Sequence, residues 1–233
     1  LRTAGIENIG LDLMFGTPLQ TPSTWRDSLS EAVALGVEHL SCYALSIEEG
    51  TPLAADRRAG RVTEMPEAVQ AECYRTVMST LTQAGFEHYE ISNFARPGRA
   101  CLHNLTYWRN EPYLGVGPAA ASYLDGVRRT NCSDLAAWMQ AVEGGLTPPG
   151  HAERLEGREA MAETAMLGLR LTQGISLKGF TDRFGLHLPD VFPAAIRRYL
   201  DSGALLLTDS HLRIHPDRLV VSDTILADLL AEA

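Results

Sequence analysis

The sequence predicts an α/β fold: a run of βαβ units with a parallel sheet, then a smaller α+β domain with a winged-helix-like pattern. Three observations predict it. Short apolar runs alternate with amphipathic helical stretches at roughly 30-residue spacing through the first hundred residues, the mark of βαβ units. A linker, Thr147-Pro148-Pro149-Gly150, then divides the chain. Beyond it, helical patterns surround two short apolar runs that bracket Thr208-Asp209-Ser210, which reads as a hairpin.

The elements follow in order. Residues 9–15 read as a buried strand, ended by Gly16-Thr17-Pro18. Thr21-Pro22 opens a helix, with Thr as cap and Pro in the first turn. Trp25, Leu29, Ala32 and Val33 fall on one face of it, and Gly36 ends it. His39 to Ile47 is a second strand, ended by Glu49-Gly50-Thr51-Pro52. A helix over 67–83 carries Val69, Cys73, Val77 and Leu81 at steps of four, with Gly85 as its stop. Glu87 to Ile91 is a third strand. Tyr113 to Tyr123 can form a further strand, and Ser133 to Glu143 a helix with Leu135, Trp138, Met139 and Val142 turned inward. After the linker, Arg158 to Leu171 is helical, with two shorter helices near 176–184 and 189–202. Ala204–Leu207 and His211–Ile214 make the hairpin, and a helix over 221–230 closes the chain.

Three strands make a poor closed barrel, and an open parallel edge exposes unpaired backbone. Further strands are therefore expected upstream, and a chain opening on Leu1 directly before a strand fits that expectation. A small open sheet is the structural alternative.

Composition narrows the classes. With 45% hydrophobic and 21% charged residues, the 233-residue chain is ordinary globular protein, one large domain or two modest ones. No stretch of 18 apolar residues and no signal-like N-terminus occur, so a cytoplasmic protein is expected. The net charge of −9 argues against phosphate backbones, and neither half is basic: 11 Lys/Arg face 17 Asp/Glu in 1–150, and 9 face 12 in 151–233. Cys42, Cys73, Cys101 and Cys132 lie 31, 28 and 31 residues apart, which fits no metal-ligand spacing. Reduced thiols are expected. Gly115-x-Gly117-x-x-Ala120 imitates a dinucleotide fingerprint but lacks its βαβ context, so it reads as a tight turn. Glu48-Glu49 reads as a solvated strand end rather than an acid-base pair.

The densest chemistry lies between Tyr89 and Trp108. Tyr89-Glu90-Ile91-Ser92-Asn93-Phe94-Ala95-Arg96-Pro97-Gly98 is followed by His103-Asn104-Leu105-Thr106-Tyr107-Trp108, in what reads as a loop. Aromatic faces, an imidazole and an amide suit a flat, partly apolar ligand. This ordered pattern resembles the radical-SAM relatives of oxygen-independent coproporphyrinogen III oxidase, in the heme chaperone branch called HemW. Asp12-Leu13-Met14-Phe15-Gly16-Thr17-Pro18 resembles a second family motif.

The resemblance implies that residues 1–146 are the later part of a radical-SAM (partial TIM-type) β/α barrel and residues 151–233 a winged-helix-like C-terminal domain. It implies S-adenosylmethionine (SAM) and heme as cofactors. Asp12, a lone carboxylate in an apolar strand, is the expected SAM contact, with Ser46 and Ala121 on positions near it. His103, Asn104, Tyr107 and Trp108 are expected to bind heme: His103 as ligand or contact of the iron, Tyr107 and Trp108 against the porphyrin, and Arg96 or Arg99 paired with propionates. The alternative is that Tyr107 and Trp108 clamp a loop while His103 bonds a carbonyl.

The chain departs from the family at Gly16-Thr17-Pro18-Leu19-Gln20-Thr21, where a second Gly is missing, and at Ala121, which stands where His is frequent before Ser122-Tyr123. The larger departure is the missing Cys-x-x-x-Cys-x-x-Cys, so a 4Fe-4S cluster is expected only in a full-length parent. Neither catalytic residues nor metal ligands are assigned, and whether the chain is an enzyme stays open. The leading reading is a heme chaperone that passes heme to a client protein. A porphyrinogen oxidase is the second reading, and a DNA-binding regulator, argued against by charge, the third. No nucleic-acid partner is expected; a membrane-associated client and a dimer stay open.

Overall fold

The computed structural model describes residues 1–232. It divides into two compact units, Leu1–Cys101 with Pro216–Val220, and Leu102–His215 with the segment from Val221 onward. Both are α/β.

In the first unit β1 (Gly10–Phe15), α1 (Pro22–Ala34), β2 (His39–Ala44), α2 (Pro52–Arg58), α3 (Glu67–Gln83), β3 (Glu87–Glu90) and β4 (Asn93–Ala95) follow one another. Thr21 caps α1, accepting from the Thr24 amide while Thr24 answers the Thr21 amide, and Pro22 sits in the first turn. Thr51 caps α2 by accepting from the Ala54 amide, with Pro52 in the first turn. Trp25, Leu29 and Ala32 of α1 and Cys73, Tyr74, Val77 and Leu81 of α3 are buried. Trp25 packs on Phe15 with ring centroids 5.6 Å apart, and its Nε1 donates to the Cys73 carbonyl at 3.3 Å. Burial pushes the Cys42 thiol up to about 12, so it is a small apolar core group rather than a nucleophile.

The sheet runs β1-β2-β4-β3. β1 and β2 are parallel, as a βαβ unit requires. The expected all-parallel sheet is corrected at β4, which is antiparallel to both β2 and β3. Only Ile91 and Ser92 join β3 to β4, and so short a connection permits a hairpin but no parallel crossover. The expectation of a buried first strand is also corrected. Leu11 and Leu13 are partly covered, but Asp12 and Met14 face outward, exposed on the opposite side of the sheet. The cost argument for a buried, unpaired Asp12 therefore falls away.

His88 stacks on Phe94 with ring centroids 4.2 Å apart, and its Nε2–H donates to the Ile91 carbonyl at 3.2 Å. Burial holds its pKa below the usual imidazole value, and the bond to Ile91 offsets part of that. The unfolded chain takes up this proton near about pH 6.5, while the folded chain resists it. The contribution is therefore complete above that pH and is lost as pH falls toward the lower folded-state value. Burial lowers His39 as well, so both imidazoles act in the same direction. The urea midpoint should fall between pH 7 and pH 5. His88→Phe, which keeps a stacked ring, should flatten that fall; an unchanged pH dependence would exclude His88 as its source.

The second unit contains α4 (Leu102–Trp108), β5 (Ala121–Leu124), β6 (Val127–Asn131), α5 (Leu135–Glu143), β7 (Gly150–Arg154), α6 (Gly157–Gly168), β8 (Ile175–Ser176), α7 (Leu177–Phe184), α8 (Leu188–Val191), α9 (Pro193–Asp201), β9 (Leu205–Leu207), β10 (His211–Ile214) and α10 (Ser222–Ala231). β5, β6 and β7 form one antiparallel sheet and β8, β10 and β9 another. Asp125 and Gly126 turn β5 into β6 with φ of 50° and 74°, the left-handed pair that a two-residue hairpin prefers. Pro193 breaks the helical stretch expected over 189–202 into α8 and α9.

Of the strand expected over Tyr113–Tyr123, only Ala121–Tyr123 form one, as the start of β5. Tyr113 meets Tyr123 in a single antiparallel bridge, and the segment between folds back. A Cβ on Gly115 would lie 2.1 Å from the Ala121 carbonyl oxygen, so the glycine is required by close approach, as a tight turn demands. The inward face expected for α5 is also corrected. Leu135, Met139 and Val142 are exposed, because the period of three to four residues fixes an apolar stripe and not what covers it.

Candidate functional site

The segment read as a loop is the helix α4. Thr106 Oγ1 donates to the Leu102 carbonyl at 3.0 Å, and Asn110 leaves the helix with a left-handed φ of 50°. Aromatic and β-branched residues are weak helix formers, which is why their cluster resembled a loop.

A helix places residues four apart on one face and separates neighbours in sequence. His103 and Tyr107 share a face and meet edge to face at 4.7 Å. Tyr107 in turn meets Tyr113 at 4.6 Å, and Tyr113 lies 6.3 Å from Tyr123. Arg183 donates to the Tyr123 hydroxyl at 2.6 Å and to the Asn110 carbonyl at 3.0 Å, fixing the far end of this aromatic row. Arg128 lies over the Tyr123 ring and bonds Glu163 at 2.6 Å, an ion pair that raises the guanidinium pKa further. The His103 imidazole is exposed, and among the described residues no hydrogen bond engages either ring nitrogen.

Asn104 and Trp108 occupy another face of α4. The Arg170 guanidinium lies 4.5 Å from the centre of the Trp108 ring, a cation–π contact. Trp108 Nε1 is buried without a hydrogen-bond partner among the described residues. The structure thus brings His103 together with Tyr107 and turns Trp108 elsewhere. Arg96 is engaged: it donates to the Ala84 carbonyl and covers the Phe86 ring at 4.0 Å, whereas Arg99 is exposed.

Asp12 lies in the first unit on the exposed face of β1, Ser46 just beyond β2 and also exposed, and Ala121 at the start of β5 in the second unit. Strand register reveals residues that pattern reading missed. Asp12 stands opposite Ser41, Ser41 opposite Asn93, and Asn93 opposite Glu90, so one polar row crosses all four strands on a single face. Ser41, Asn93 and Glu90 are buried, and Asn93 Nδ2 donates to Glu90 Oε1. Glu90 Oε1 also accepts from the Ser92 amide at 3.1 Å. A polar residue at the centre of each short strand was the only available signal, and registering them required the sheet order. Glu49 pairs with Arg57 and Arg58, consistent with a solvated strand end.

The cysteines do not suit an iron–sulfur cluster. Cys42 and Cys73 are buried core thiols, and among the described residues no three His, Cys, Asp or Glu side chains converge as metal ligands. No described helix is long and apolar enough to cross a membrane.

An α/β chain with an exposed histidine on an aromatic helix face matches known proteins throughout its length. The model of the HemN C-terminal domain matches residues 155–217. The heme chaperone HemW of Bacillus subtilis is 36% identical over 209 residues, covering 90% of this chain and 55% of that protein. HemW of Synechocystis is 44% identical over 173 residues, covering 73% and 42%, and HemW of Mycobacterium tuberculosis 35% over 229 residues, covering 98% and 54%. The fold is that of the coproporphyrinogen III oxidase HemN from Escherichia coli, a radical SAM enzyme, with a TM-score of 0.74 at 17% identity over 98% of this chain and 56% of that one. The chain is thus an α/β protein with the HemN fold, part of which the HemN C-terminal domain model matches. It belongs to the HemW-like family. It spans about half the length of these curated relatives.

Proposed function

We propose that this chain is the heme-capturing part of a HemW-like heme chaperone, which passes heme to a client protein. The observation that carries the reading is His103. Its imidazole is exposed, has no competing hydrogen bond among the described residues, and is braced by Tyr107 at the end of an aromatic row. A neutral imidazole is the usual nitrogen donor to heme iron, and an exposed ligand can release its cargo to an acceptor. Tyr107 supplies the aromatic surface on the same face, Asn104, three residues before it, is a further heme contact, and Trp108 is held by Arg170. A porphyrinogen oxidase has less support, because the solved HemN is only 17% identical, whereas the HemW relatives of 35–44% identity are named heme chaperones.

The Asp12 carboxylate and Ser46 hydroxyl, both exposed in the first unit, have the chemistry to receive the ammonium and hydroxyl groups of SAM. SAM would be a resident ligand there; the radical chemistry it supplies in this family needs a cluster that these cysteines do not hold. We read residues 1–146 as barrel sequence and 151–233 as a winged-helix-like module; the family match starting at residue 155 favours this division, whereas the compact units part at residue 101. A cytoplasmic setting and a client that is soluble or membrane-associated accompany this reading, with no nucleic-acid partner; a dimer fits it equally.

Delivery is tested by mixing the heme-loaded chain with an excess of an apo-globin and following the visible spectrum. The heme should move to the globin at a rate that depends on acceptor concentration. A rate set only by spontaneous dissociation, independent of the acceptor, would argue for storage rather than delivery.

A further inference from the structure

A cleft in the second unit lies apart from the exposed face of α4 that carries His103. It encloses about 300 Å³, the low end of the range of roughly 300–1,000 Å³ that small-molecule sites occupy. Trp108, Leu171, Ile175 and Phe180 give it apolar walls. Glycines at 168, 174 and 179 line it, and a Cβ on Gly168 would meet Ile175 at 2.8 Å, so the glycine lets β8 approach α6 closely. The polar groups around it are unequal in charge. Arg109, Arg183 and His211 line it together with one carboxylate, Glu111. Arg183 is held by its bonds to Asn110 and Tyr123, which use two of its five N–H donors. His211 Nδ1 lies 2.9 Å from the Ser210 hydroxyl.

We propose that this cleft binds a small organic monoanion: an aromatic or branched apolar body carrying one carboxylate or sulfonate. The apolar walls accept the body. Arg109 and the fixed Arg183 outweigh Glu111 and favour one negative charge over none or a positive one. The chain carries a net charge of −9, so a cationic cleft is a local exception to the field of the molecule and not its consequence. The site is independent of heme capture at His103.

The probe is 8-anilinonaphthalene-1-sulfonate, whose fluorescence rises on transfer to an apolar site, titrated into the full chain. Saturable binding at one per chain is expected. Gly179→Leu fills the cleft from a helical position without a positive φ, where the nearest neighbour of a Cβ is the Ser176 side chain at 3.4 Å, and should abolish it. Arg109→Gln should weaken it about two- to five-fold and Glu111→Gln should strengthen it by a similar factor, the range of one exposed charge pair. The two opposite signs distinguish this cleft from any apolar patch elsewhere. Equal binding by Gly179→Leu with unchanged circular dichroism, or charge variants that move affinity in the same direction, would overturn the proposal. Should Gly179→Leu not fold, the two charge variants decide alone. Hemin titration of the same variants separates the sites: loss of probe binding with heme binding intact is expected.

Discussion

Gly174→Ala should destabilise the second unit by about 3 kcal/mol or more, a loss that few single-methyl additions cause. Gly174 has φ of +83°, and a Cβ there would lie 2.1 Å from the Leu212 carbonyl oxygen and 2.5 Å from the Arg213 Cβ. The left-handed conformation alone costs an L-residue roughly 1–2 kcal/mol. The overlap adds to that, because the nearest atom in the way is backbone of β10, which pairs with β8 through Leu212 and Ile175. Relief would require parting the two strands. Gly203→Ala is the matched control: its φ is +69°, but nothing lies within 4 Å of the added Cβ. Urea unfolding should show a small loss for Gly203→Ala and a much larger one for Gly174→Ala. Equal losses would mean that the chain bends away from the contact at no cost.

Trp25→Ala should cost about 3–5 kcal/mol, the usual range for removing a large buried aromatic side chain. Trp25 is 1% exposed, contacts Phe15 and bonds the Cys73 carbonyl, so it ties α1, β1 and α3 together. Stability of a domain is only about 5–15 kcal/mol, and this loss is a large share of it. Trp25→Phe keeps most of the ring contact and gives up the hydrogen bond, a loss of about 1 kcal/mol. A Phe variant as unstable as the Ala variant would assign the stability to the hydrogen bond rather than to packing.

Much of the first unit was legible because its signals are local. Thr21-Pro22 is a cap and a first-turn proline, and Gly85 is a helix stop with φ of +83°. α3 and the hairpin of β9 and β10 lie where periodicity put them. The identical Thr51-Pro52 signal marks α2, but that helix of seven residues lacks enough periodicity to be noticed. β4 and β7 escaped for a different reason. Short strands acquire their identity from partners far along the chain, and Asn93–Ala95 becomes a central strand only because β2 and β3 flank it.

The site was legible by residue type and not by arrangement. His103, Asn104, Tyr107 and Trp108 read as one cluster, and only helical geometry divides them into two faces. Asp12 was argued from burial that it does not have, since one sequence cannot say which side of an edge strand is covered. The row of Asp12, Ser41, Asn93 and Glu90 depends on the sheet order β1-β2-β4-β3, which no local signal encodes.

The central claim is that His103 holds heme, and parallel hemin titrations of the chain and its His103→Ala variant, followed at the Soret band, test it most directly. Exposed and outside any hydrogen bond of the described residues, His103 can be truncated with little effect on the fold. A saturable shift at one heme per chain, lost in a variant with unchanged circular dichroism, is the predicted result. The same saturable shift in both proteins would contradict the account and place the ligand elsewhere.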